Sequence, residues 1–117
     1  MRQILAEGSA MTRTARTKNE DELAARLAER LLGWRTGPDR FIKPGRSWSP
    51  RSRFRPFEKI ADAFQLLDRS DSFSVTSTHR GPYIAEVHSG GRRGEASGEQ
   101  MARVITTALA RALGMET

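Results

Sequence analysis

The sequence predicts an α+β domain: a small antiparallel sheet of about three strands, packed between or against three helices, in the order α-loop-α-β-β-β-α. Three observations carry this. Leucines recur every four residues near the start, the apolar period drops to two in SFSVTSTH and YIAEVH, and an alanine-rich stripe returns at helical spacing near the end. With 117 residues the chain holds one hydrophobic core and not two. It is 37% hydrophobic and 29% charged, the balance of an ordinary globular domain.

Residues 1–18 are polar and poor in large apolar side chains, and read as a mobile leader in which Met11 offers an alternative start. Residues 19–117 form the single domain. Its first helix spans about residues 20–32, where Asn19 and Glu22 have capping-box spacing and Leu23, Leu27 and Leu31 make one stripe. Gly33 suits the left-handed stop. Residues 34–55 lose all periodicity. TGPD and KPG are turns there, and prolines at 44, 50 and 56 bar a continuous helix, leaving short extended pieces near residues 40–42 and 46–49.

A second helix is expected from Pro56 or Phe57 to Asp68, with Phe57, Ile60, Ala61, Phe64 and Leu67 on its apolar face. Phe73 and Val75 then alternate with polar neighbours, RGP turns the chain, and YIAEVH forms a second strand. SGGRR turns it again into a short third strand, RGEAS. In the last helix Ser97 and Gln100 have capping-box spacing, Met101, Val104, Ile105, Ala108, Leu109 and Ala112 trace the stripe, and Gly114 ends it.

The combination of LAERLLGW, PFEKIADAFQLL, YIAEVH and GEASGEQMARVITTALARALG, over about residues 20–114, resembles the phage ABA-sandwich domain family of small phage and prophage proteins. The resemblance implies a sheet lying between helical layers and a phage or mobile-element origin. It brings no catalytic motif. The chain departs from that pattern in a longer, more basic link between its first two helices.

That link holds the charge. The net charge is +6, and Arg40, Lys43, Arg46, Arg51, Arg53 and Arg55 account for all of it, because the rest of the chain balances. No acid interrupts RFIKPGRSWSPRSRFRPF, which also carries four aromatic rings. Cations for phosphates and rings for bases are what a single-strand groove needs. The candidate anion-binding set is Lys43, Arg46, Trp48, Arg51, Arg53, Phe54 and Arg55. An extended segment would project Arg51, Arg53 and Arg55 to one face. Six phosphate contacts would give a salt slope of about −4 to −5. Against this stands a plainer reading, in which Phe41, Trp48, Phe54 and Phe57 close the core and the arginines are solvated charges.

Arg92 and Arg93, in a glycine-rich stretch before a helix, form a secondary anion site. That stretch lacks the P-loop ending and the dinucleotide spacing. There is no cysteine, and the two histidines have no second ligand at helical spacing, so no metal site is expected. With Tyr83 opposite His79 and His88 near Ser74, the histidines are not paired. Asp62 and Glu58 share a helix face without forming a catalytic pair, and the serines at 47, 49 and 52 have no base beside them.

The sequence therefore predicts a non-enzymatic, cofactor-free, cytoplasmic protein whose partner is nucleic acid or a phosphorylated nucleotide. The alternative is a module that blocks or recruits a host or defence protein through an acidic surface. No apolar run reaches the roughly 20 residues that a membrane span needs. A homodimer through an exposed helix or sheet edge is compatible with either reading.

Overall fold

The computed structural model describes residues 19–77 and 79–115, so the leader lies outside the described residues. It has α1 (residues 19–32), β1 (Arg35–Thr36), β2 (Arg40–Ile42), β3 (Trp48–Pro50), a 3₁₀ turn (Arg51–Arg53), α2 (Ile60–Leu67), β4 (Ser72–Ser77), β5 (Tyr83–Ser89), β6 (Arg92–Gly98) and α3 (Met101–Ala112). These make two antiparallel three-stranded sheets, ordered β1-β2-β3 and β4-β5-β6. The α+β class holds, and the second, smaller sheet is an addition to the expectation.

The larger sheet alternates as its sequence dictates. Ala85, Val87, Gly94 and Ala96 face the core, while Ser72, Ser74, Thr76, Ile84, Glu86, His88, Arg93, Glu95 and Ser97 share the opposite face by register. Among the described residues, no helix covers that mainly polar face. The sheet is therefore not sandwiched between helical layers as the family resemblance implies, because on that side Ile84 is the one large apolar side chain among the described residues. Gly90 and Gly91, at φ 60° and 77°, close β5 onto β6 in the left-handed pair that a two-residue hairpin requires.

Helix α3 is the hub. Of its expected stripe, Val104, Ile105, Ala108, Leu109 and Ala112 are buried and Met101 is half-buried, and Ala102, Thr106 and Ala110 are buried on its other flanks. The sheet lies on one side of it and α2 on another. Gly94 makes the close approach possible: a Cβ there would run into the backbone of Ala108 and Ala112. Thr106 Oγ1 donates to the buried Pro56 carbonyl at 2.7 Å and fixes the approach to α2. Thr106→Val keeps the volume but orphans that oxygen, so denaturant unfolding should show a loss of about 1–3 kcal/mol. No measurable change would mean that solvent reaches Pro56.

Helix α1 ends in a π-turn, Ala28–Leu32, which Gly33 stops at φ 71°. Its Leu23, Ala24, Leu27 and Ala28 are buried, Arg26, Glu29 and Arg30 are exposed, and Glu20 pairs with Arg103 on α3. Asn19 is already helical, so it is not the cap expected from its spacing.

Two further capping expectations are corrected. Ser97 belongs to β6, and Gln100 holds the N-cap position of α3 without a side-chain bond. Helix α2 starts at Ile60, after a turn in which the Arg55 carbonyl accepts from the amides of Glu58 and Lys59. The later start rotates its buried stripe to Ala63, Leu66 and Leu67 and leaves Ile60 and Ala61 exposed.

Candidate functional site

The basic segment folds into the smaller sheet. Pro44 and Gly45 form the turn between β2 and β3, with Gly45 and Arg46 at φ 86° and 72°, and the Lys43 amide donates to the Ser47 carbonyl at 2.8 Å. The register pairs Phe41 with Thr36 and Ser49 on one face. On the other it sets Arg35, Ile42 and Trp48 in one row and Arg40 and Pro50 in the next.

The inner face is a peg. Phe41 is 1% exposed and stands between Trp34 and Phe54, with ring centroids 5.4 and 5.7 Å away, and Trp34 meets Phe54 at 5.1 Å. Tilted and edge-on contacts of this kind fasten the small sheet to the core around α1. Phe54 is 6% exposed and cannot serve as a stacking platform, so for this ring the core reading is the correct one.

The outer face has the opposite character. Trp48 is 56% exposed, and the Arg40 guanidinium lies over it with Cζ 4.5 Å from the ring centroid. Arg40 is held there by both oxygens of Asp39, at 3.1 and 3.3 Å. The hydrogen bond and charge of Arg40 hold the Asp39 carboxyl below its ordinary pKa and raise that of the guanidinium in return. Ile42, 40% exposed, lies directly across from Trp48. Arg35 stands two strands from Trp48 in the same row, about 10 Å away at normal strand spacing. Arg46 is exposed at the hairpin turn.

The remaining candidates divide. Lys43 sits over the Trp34 ring with Nζ 4.8 Å from its centroid, on the rim of the inner face. Arg51, Arg53 and Arg55 do not share one strand face, because Arg51–Arg53 is a 3₁₀ turn. Arg51 is half-buried, donates to the Gly37 carbonyl at 3.4 Å and covers the Phe41 ring. Arg53 is exposed, and its carbonyl accepts from Lys59. Arg55 pairs with Glu58 at 3.3 Å, while its amide donates to Asp62 at 2.9 Å.

The secondary site does not assemble either. Arg93 is engaged by Glu86 at 3.0 Å and Glu95 at 2.6 Å on the open face of the larger sheet. The Arg92 guanidinium lies against Gly114, beyond α3. His88 shares Glu86 at 2.9 Å and pairs with Ser72 and Arg93, not Ser74, while Tyr83 pairs with Ser77, not His79. Among the described residues no group of three His, Cys, Asp or Glu side chains is arranged to hold a metal ion, and no helix is long and apolar enough to cross a membrane.

Thus Arg46 and Trp48 remain on one accessible surface, where they are joined by Arg40, named among the six cations but not in the candidate set, and by Arg35 and Ile42, which were not singled out. The sequence signal for Arg40 and Ile42 was the alternation of RFI and WSP about a Pro-Gly turn, whereas Arg35 lies outside both runs.

No family model and no curated protein matches the sequence. Among solved structures, the chain is similar to a phage protein from Bacillus cereus ATCC 14579, with a TM-score of 0.66 and 19% identity over 84% of this chain and 90% of that one. At that identity the likeness establishes a shared fold.

Proposed function

We propose that the outer face of the small sheet binds single-stranded nucleic acid, or the phosphorylated nucleotides that compose it, and that the protein is a non-enzymatic accessory factor of phage or mobile-element type. The observation that carries the reading is Trp48, an exposed indole whose orientation Arg40 fixes. A guanidinium already laid on the ring lowers the entropy lost when a base stacks on the part left open, and it places a positive charge where the adjoining phosphate falls. Arg35 extends that charge across the strands, and Arg46 extends it to the turn. The similarity in fold to a phage protein supports the accessory role.

Fluorescence anisotropy with a labelled thymidine oligonucleotide tests this. Trp48→Ala should weaken binding by about 1–3 kcal/mol. Log affinity should fall with log salt at a slope of about −2, that of three arginines on a single strand, and Arg40→Ala with Arg46→Ala should flatten it. Binding and slope that ignore both changes would remove the proposal.

Ile42 beside Trp48 favours a second reading, in which the pair is an apolar anchor for a protein and the arginines ring it. Its signature is a partner that survives nuclease and is lost with Ile42→Ser.

A further inference from the structure

The two edges of the larger sheet are built differently. Strand β6 carries Arg92, Arg93 and Glu95, and Arg111 from α3 reaches across to the Glu95 carbonyl at 2.8 Å. Charges and side-chain contacts of this kind discourage another strand from adding on. Strand β4 has neither. Its six residues, SFSVTS, include no charge and no proline. Among the described residues nothing hydrogen-bonds to its outer edge, and Phe73 is 44% exposed beside Phe64 at 6.4 Å.

We infer that β4 pairs antiparallel with β4 of a second copy of this chain, joining two three-stranded sheets into one of six strands. Facing and charge select the direction and the register. A two-fold axis normal to the sheet keeps inner faces together, so each residue must meet one of its own parity. Centring the axis on Ser74 sets Phe73 against Val75 of the second copy, an aromatic and β-branched pair on the helix side. On the open side the same register sets Ser72 against Thr76, and Ser74 against its own counterpart.

The flanks agree with this. Asp68 and Asp71 precede the strand and outweigh Arg69, whereas Arg80 follows it. Antiparallel pairing brings the net negative end of each strand to the positive end of the other, while parallel pairing would bring like to like.

Sedimentation velocity or native mass analysis of nucleic-acid-free protein tests the inference, which is independent of the small sheet. The wild type should reach twice 13.1 kDa as its concentration rises. Ser74→Lys puts two ammonium groups directly opposite each other on a solvent-facing position, so the monomer should fold with unchanged circular dichroism while dimerisation weakens about tenfold or more. Mixing Ser74→Lys with Ser74→Glu should restore a heterodimer. Trp48→Ala should leave the dimer intact. A wild type that stays monomeric at all concentrations, a Ser74→Lys dimer as tight as wild type, or a charge-swapped pair that fails to associate would each overturn the inference.

Discussion

Gly94→Ala should cost about 3 kcal/mol, a change produced by one methyl group. The position is not demanding in φ; it is demanding in space, because the added carbon would meet the Ala108 carbonyl oxygen and the Ala112 amide nitrogen. Backbone cannot rotate aside as a side chain can, so α3 must lift from β6. That movement disturbs Leu109 and Ile105, both fully buried, and the contact of α3 with α2 behind them. For a domain of this size the melting temperature should drop by more than about 10 °C. Gly98→Ala is the control: its new carbon would meet only Cγ2 of Val104, at 3.1 Å, and that side chain can shift. A Gly94→Ala protein no less stable than Gly98→Ala would show that the helix does not rest on the strand here.

Phe41→Ala should cost about 3–5 kcal/mol by denaturant unfolding. Phe41 is the middle ring of the cluster that fastens the small sheet, and removing it leaves Trp34 and Phe54 facing a void. Hydrogen exchange should rise first across residues 35–50, since that sheet has few other inward side chains. In a Trp48→Phe background Trp34 is the sole indole, and its emission should shift to the red as water enters. A loss under 1 kcal/mol with unmoved emission would mean that the strands are held by their own hydrogen bonds and not by the peg.

The two ends of the domain differ in how much of them the sequence disclosed. Helix α3 and strand β5 were legible because each buries a continuous stripe, Val104, Ile105, Ala108, Leu109 and Ala112 in one and Ala85 and Val87 in the other, while β4 was legible from the alternation of Phe73 and Val75 with polar neighbours although it buries no side chain fully. The small sheet was not. Its strands are two or three residues long, and β2 contributes one buried side chain, Phe41, which is too few to establish a period. Proline at the end of β3 reads as a breaker, yet it sits on an edge strand where no ladder donor is missed. The caps misled for a related reason. Ser97 and Gln100 have the right spacing, but pairing of β6 with β5 continues through Gly98 and takes Ser97 first.

The candidate surface followed the same logic. Composition singled out the segment, but which ring faced water depended on register. Phe54 and Trp48 look alike in sequence; one is the floor of the small sheet and the other its outer face. Arg51, Arg53 and Arg55 were misgrouped because a 3₁₀ turn replaced the expected extended backbone.

Alternation along β2 gives this architecture a latitude that a loop would lack. Phe41 does the anchoring, while its immediate neighbours Arg40 and Ile42 are displayed, so substitutions at the displayed positions can recast the outer face without loosening its mooring.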